Sequence, residues 1–129
     1  WVENGLLDVL EETGVGCIPF SPLAQGMLTD RYLHGIPAGS RAARPDASLK
    51  TADITEERLQ QIRSLNEIAK QRNQSLAQMA IVWLMKDKRV TSVLLGASSV
   101  KQLDDNLDSL NNITFSSGEL EAIEKILRK

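Results

Sequence analysis

The residues best suited to chemistry lie where an apolar run passes through small residues into a helical pattern, at Gly96-Ala97-Ser98-Ser99 with Gln102 following. Ser99 and Gln102 have the spacing of a capping box, in which a hydroxyl and a carboxamide satisfy the orphan N–H groups of a helix start. Such a start also carries the positive end of the helix dipole, so a phosphate or carboxylate can sit there. Gly96 and the two serines let it come close. The same residue types serve a plain strand–turn–helix junction, which needs only small, capping residues. Arg41 and Arg44 stand in a long segment without hydrophobic periodicity, residues 35–54, and can clamp a phosphate or stack on an adenine ring. A solvated loop would contain them equally well. His34, with no acid–base partner near it in sequence, reads as a surface histidine. Cys17 reads as a small buried hydrophobe within Val15-Gly16-Cys17-Ile18. As the single cysteine it excludes an internal disulfide and a cysteine-rich metal site, and no metal ligand set is predicted.

An anion site at Ser99 needs a strand ending at Gly96 and a helix beyond it. Residues 91–95 are short, apolar and partly β-branched, bounded by the charged cluster Lys86-Asp87-Lys88-Arg89 and by Gly96, which predicts a buried strand. Leu103, Leu107 and Leu110 continue one face of the following helix. Upstream, residues 15–20 form a second strand candidate; Pro19 cannot donate to a ladder and must lie near its end, and Ser21-Pro22 turns the chain out. Before it, Leu6, Leu7 and Leu10 mark a helix that Gly14 ends.

Between the strand candidates, Leu59, Ile62, Leu65 and Ala69 mark a helix that starts at Asp53 or Thr55 and ends by Asn73. The capping box Ser75–Gln78 opens another, apolar nearly all round through Met85 and so predicted to be covered on most sides, with Trp83 and the methionines as core. A last helix begins at Ser116, with Glu119 in capping-box position and Leu120, Ile123 and Leu127 on one face. The order α-β-α-α-β-α-α predicts an α/β fold with parallel strands, as a barrel or a doubly wound sheet.

The 129 residues suffice for one domain, and 42% hydrophobic with 25% charged residues is ordinary for a globular chain. A formal net charge of −2 supplies no global field for nucleic acid or an anionic membrane. No apolar run approaches the roughly 20 residues that insert into a bilayer, and no signal-peptide pattern opens the chain, which predicts a cytoplasmic location. The opening at Trp1 lies mid-pattern. Two strands cannot make a buried parallel sheet unaided, so the expectation is a piece of a longer fold whose strand edges invite association, another copy included.

Several stretches in the same order carry a resemblance: Phe20-Ser21-Pro22-Leu23-Ala24-Gln25-Gly26-Met27-Leu28-Thr29, then Gly35-Ile36-Pro37 with Ser40-Arg41, then residues 91–98 with Gln102-Leu103 and Asn106. Over nearly its whole length the chain resembles the C-terminal part of an aldo-keto reductase, in the branch that holds bacterial glyceraldehyde 3-phosphate reductases and potassium-channel β subunits. The resemblance implies that residues 1–129 are a single C-terminal segment, the last two strands and associated helices of a (β/α)8 TIM barrel. In such barrels the loops after the last two strands build a phosphate site beside a helix N-terminus.

The resemblance further implies an oxidoreductase that takes NADPH and reduces aldehydes or ketones by hydride transfer, with a small carbonyl compound as substrate. Phe20 would face the nicotinamide; Ser21, Pro22, Leu23, Ala24 and Gly26 would lie along the pyrophosphate and nicotinamide; Arg31 and Arg41, with residues 35–54 as a cofactor-side loop, would serve the adenosine end. Gly96, Ser98, Gln102, Asp105 and Asn106 match positions that hold the adenosine 2′-phosphate and adenine. Gly96 and Gln102 stand where other branches place a lysine and an arginine, so charge for the 2′-phosphate would come from Arg41 or Arg31. Asp105 stands where the branch often has glutamate. The family's tyrosine, lysine, aspartate and histidine come from earlier strands, and Tyr32 and His34 match none of them, which implies no catalytic residue here and an inactive isolated segment. A nicotinamide-binding channel β subunit and an inactive truncated remnant are the alternatives.

Overall fold

The computed structural model describes residues 2–44 and 46–128, with only the backbone of Arg41. After an irregular helical turn at Val2–Leu6 the helices are α1 (Leu7–Thr13), α2 (Glu56–Gln71), α3 (Leu76–Met85), α4 (Val100–Leu107) and α5 (Ser117–Leu127). Their ends are written in local sequence. Gly14 stops α1 in the left-handed region at φ +68°. Thr55 Oγ1 accepts from Arg58 N (3.2 Å) at the start of α2, which settles the choice between Asp53 and Thr55. Ser75 and Gln78 form the reciprocal box of α3 (3.1 and 2.9 Å), and Ser116 and Glu119 that of α5 (3.3 and 2.7 Å).

The core sits where α2 turns Ile62, Leu65 and Ala69 toward Leu76 and Met79 of α3 and Ile123 of α5. Met27, Tyr32, Ala42 and Leu49 complete it, so the long segment before α2 is anchored rather than wholly solvated. Tyr32 OH accepts from Ala42 N (3.4 Å) and Thr51 Oγ1 donates to Ala42 O (3.1 Å), between short 3-10 turns at Arg41–Ala43 and Thr51–Asp53. Trp83 packs on this core half-buried, as expected, and its ring carries Lys86 Nζ at 3.9 Å.

The strands depart from expectation. Among the described residues no ladder forms, and one isolated parallel bridge joins Cys17 to Val90. Thr91 N donates to Cys17 O (2.9 Å) and Leu94 N to Pro19 O (3.0 Å). Pro19 has no N–H to return, and Cys17 N goes to Thr91 Oγ1 (3.1 Å) instead of a carbonyl. Val15, Ile18, Phe20 and Leu94 are left exposed and Cys17 half-buried, not buried. The predicted last two barrel strands are therefore two adjacent parallel segments. A parallel sheet requires neighbours and cover on both faces, and the residues that would form this one have neither.

The turn after α3 ties back to the first helix. Asp87 accepts from Arg89 N (3.0 Å), Nε (2.9 Å) and Nη2 (2.6 Å), Arg89 also pairs with Asp8, and Lys86 Nζ lies 3.5 Å from Glu3. The Arg89 hydrogen bonds hold the Asp87 carboxyl at about 2, below its ordinary 3.8. A carboxyl depressed on folding contributes stability above its unfolded pKa and loses it as pH falls through the folded one. The expected result is a Tm that drops between about pH 4 and pH 2, by less in Asp87→Asn than in the parent, measured by thermal melts across that range.

Candidate functional site

Because the two segments run parallel, with Leu94 N bonded to Pro19 O, the turns that follow them leave from the same end. The first, Phe20–Gly26, is a strained coil. Ser21, Ala24 and Gln25 have φ of +55°, +45° and +60°, and Gly26 has +98°. For the three non-glycine residues this costs about 1–2 kcal/mol each. Backbone strain of this kind persists where surrounding contacts enforce it and collects at ligand sites. Ala24 N donates to Ser21 O (3.0 Å), Gly26 N to Leu23 O (2.8 Å) and Thr29 Oγ1 to Gly26 O (2.7 Å). A Cβ on Gly26 would stand 3.6 Å from the Tyr32 ring. Pro22 and Leu23 are half-buried, while Ser21 and Ala24 are exposed and Phe20 is 76% exposed.

Arg31 follows in the short turn Asp30–Tyr32, which Thr29 Oγ1 caps. Its side chain is exposed and pairs with no carboxylate among the described residues. Arg41 opens the Arg41–Ala43 turn, and its side chain lies outside the described part of the chain.

At the second turn Gly96, Ala97, Ser98 and Ser99 are exposed, and a Cβ added to Gly96 would meet nothing within 4 Å. Ser99 Oγ accepts from Gln102 N (3.1 Å), as the spacing predicts. The returning half of the box differs. Gln102 Oε1 accepts from Ser98 N (2.8 Å) and Ser98 Oγ (2.9 Å), one residue upstream of the expected Ser99 N. The extended Ser99, at φ −153°, directs Ser98 toward the carboxamide. A neutral oxygen thus meets donors of the kind that suit an anion.

No free cation stands on α4 to hold that anion. Lys101 Nζ pairs with Asp105 (2.8 and 3.0 Å), which raises the Lys101 pKa, with Asp104 and Asp108 adding to the effect. Asp105 O accepts from Gln78 Nε2 (2.7 Å), fixing α4 on α3. Beside it Asn106 is 4% exposed, and its Nδ2 has no hydrogen-bond partner. A buried donor without a partner costs about 1–3 kcal/mol.

Two clusters thus share one end of the molecule, although no hydrogen bond joins them among the described residues. Tyr32 is buried with its hydroxyl against Ala42 N, and His34 is exposed as expected. Among the described residues no group of three His, Cys, Asp or Glu can hold a metal, and no helix is long and apolar enough to cross a membrane. The left-handed turn at Ser21–Gln25 was not legible, because serine, alanine and glutamine carry no left-handed preference. The burial of Asn106 was not legible, because Leu103, Leu107 and Leu110, the apolar residues that mark a face of its helix and of the turn after it, are the exposed ones.

The sequence matches the model of the aldo/keto reductase family over residues 1–128. It is 54% identical to L-glyceraldehyde 3-phosphate reductase of Escherichia coli (strain K12), over 97% of this chain and 37% of that protein. It is 34% identical to a probable voltage-gated potassium channel subunit beta of Oryza sativa subsp. japonica, over 98% of this chain and 40% of the relative. A putative subunit of the same kind from Schizosaccharomyces pombe is 35% identical, over 97% and 38%. The chain spans about two fifths of the length of the curated relatives it matches.

Proposed function

The chain belongs to the aldo/keto reductase family, and we propose that it forms the cofactor-holding end of an NADPH-dependent reductase of aldehydes or ketones. The observation that carries this reading is the pairing, at one end of the molecule, of a strained exposed turn with the start of α4, the helix whose penultimate residue, the buried Asn106, has an Nδ2 without a partner. The residues fit a dinucleotide. Open space beside Gly96 admits a phosphate, Ser98 and Gln102 offer hydroxyl and carboxamide groups, and Asn106 offers its donor to an adenine acceptor. Asp105 lies next to it at the adenosine end.

On the other turn, Ser21, Pro22, Leu23, Ala24 and Gly26 would line the pyrophosphate and nicotinamide, and the exposed Phe20 ring would cover the nicotinamide face. When bound, NADPH would supply hydride to a carbonyl carbon. This chain's part is to bind and orient it. Tyr32 cannot act as the proton donor, because its hydroxyl is buried against Ala42 N, so the acid–base group would come from outside these residues. The higher identity to a reductase than to channel subunits favours this over a regulatory β subunit.

The test uses cofactor discrimination. With α4 lacking a free cation, the 2′-phosphate charge falls to Arg41 and Arg31. Removing a charge-assisted hydrogen bond costs about 1.5–3 kcal/mol, so Arg41→Ala in the protein that carries this segment should weaken NADPH roughly ten- to a hundredfold. NADH should change little. Fluorescence titration with each cofactor reads the ratio, and an equal loss for both removes the 2′-phosphate assignment.

A further inference from the structure

Tyr32 is a buried phenol to which the reading above gives no task. It is 1% exposed in the core cluster, where a phenylalanine would fill almost the same space with no hydroxyl to desolvate. Its hydroxyl accepts from Ala42 N, and Thr51 Oγ1 donates to Ala42 O. Side chains from ten residues before and nine residues after thus hold both polar groups of Ala42. Ala42 N belongs to the planar peptide group that follows the Arg41 Cα, so whatever fixes that group fixes the Arg41 backbone. Ala42 is itself 5% exposed; deprived of the phenol, its N–H reaches water only if the turn Arg41–Ala43 moves. The Tyr32 ring also meets Gly26, where a Cβ would stand 3.6 Å from it. Thr29 ties the two together, donating to Gly26 O (2.7 Å) and accepting from Arg31 N (3.1 Å) at the start of the turn that carries Tyr32. One residue therefore connects the strained turn to the turn of Arg41.

We propose that Tyr32, together with Thr51, is a positioning residue that fixes where Arg41 is rooted relative to the strained turn, and so sets the preference for a 2′-phosphorylated dinucleotide. The inference rests on the assignment of Arg41 to the 2′-phosphate in the reading above. A guanidinium meets a phosphate through paired N–H groups in a fixed geometry, so a shift of its backbone loses the contact while the charge remains. Tyr32 acts through the backbone, because its hydroxyl is buried and faces Ala42 N. A purely structural tyrosine would affect every dinucleotide alike. A positioning one affects the ligand that carries the 2′-phosphate.

The experiment compares Tyr32→Phe, Thr51→Val and Arg41→Ala, and the pair Tyr32→Phe/Arg41→Ala, in the protein that carries this segment. Tyr32→Phe keeps the ring against Gly26 and removes only the acceptor for Ala42 N; Thr51, which is exposed, loses its donor to Ala42 O without disturbing the core. With no cofactor added, hydrogen exchange at the Ala42 amide should be faster by about tenfold or more in Tyr32→Phe, with the amides of Ile62 and Leu65 unchanged. NADPH should weaken about three- to tenfold and NADH by less than about twofold, with Thr51→Val moving the ratio in the same direction. In the Arg41→Ala background Tyr32→Phe should cost NADPH nothing further, since its effect passes through that side chain. Unchanged exchange at Ala42, a cofactor ratio unmoved in both Tyr32→Phe and Thr51→Val, or an effect that persists without Arg41 each overturns the proposal and leaves the cofactor reading standing. An Arg41→Ala that weakens NADPH and NADH alike removes that reading, and the positioning role falls with it.

Discussion

Replacing Arg72 with methionine is expected to lower the unfolding free energy by about 3–5 kcal/mol, the range for breaking a buried ion pair from one side. Arg72 caps the C-terminus of α2, yet its side chain, 2% exposed, turns inward to the segment that leads into α5. Its Nε donates to Gln74 Oε1 (2.9 Å), its Nη2 to Thr114 O (2.9 Å) and Asn112 O (3.3 Å), and its Nη1 pairs with Glu119 at 2.8 Å. The Phe115 ring lies 3.9 Å from the guanidinium carbon. One planar group thereby satisfies two carbonyls, a carboxamide and a carboxylate that water cannot reach equally well. Methionine keeps most of the volume and none of the donors, so the loss reports the polar node and not a cavity.

The carboxylate of Glu119 deepens the expectation. Ser116 N and Oγ, then Arg72, hold its pKa below the ordinary carboxylate range, so the charge is retained on folding and needs its partners. Arg72→Lys preserves the charge but cannot reach four partners with one ammonium. It should lose less than the methionine variant and still be clearly destabilised. Urea unfolding followed by far-UV circular dichroism orders the three proteins, and a methionine variant within about 1 kcal/mol of the parent would show that the node is replaceable by packing.

Why this node escapes sequence reading is instructive beside what did not. Thr55, Ser75 with Gln78, Ser116 with Glu119, and Gly14 declare helix ends through partners three residues away or through a single φ, and each end lies where those residues put it. Arg72 after α2 reads locally as a cation suited to a helix C-terminus. Apart from Gln74, its partners lie forty or more residues on, and no short-range pattern signals them. The segments at 15–20 and 91–95 fail for the related reason that strand character depends on neighbours. Their residue types are right for strands, but among the described residues only Cys17 and Val90 meet in a bridge, with no further strand beside them to extend it. At the candidate site the Ser99 cap was legible and the Gln102 bond to Ser98 was not, since one residue of extended backbone decides which N–H the carboxamide meets. The fold and the candidate site are thus readable to the range of local hydrogen bonding.

Asn106→Leu should separate stability from cofactor binding by moving them in opposite directions. The side chain is 4% exposed and its Nδ2 has no partner, so the protein carries the cost of a desolvated donor. An apolar side chain of similar size removes that donor, and unfolding free energy should rise by about 1 kcal/mol, the lower end of the penalty for an unsatisfied buried group. If Asn106 is kept polar for an adenine acceptor, the same change deletes that hydrogen bond and leaves the ligand acceptor unpaired. NADPH and NADH should then both weaken, by about tenfold or more, because the adenine is common to them. This equal loss distinguishes Asn106 from Arg41, whose removal should spare NADH. Paired measurement of unfolding and of both cofactor affinities gives a signature that a purely structural asparagine could not produce: a variant more stable and weaker in binding. A variant that is destabilised instead, with affinities unchanged, would mean that Asn106 serves the packing of α4 on α3 and that the adenosine end lies elsewhere.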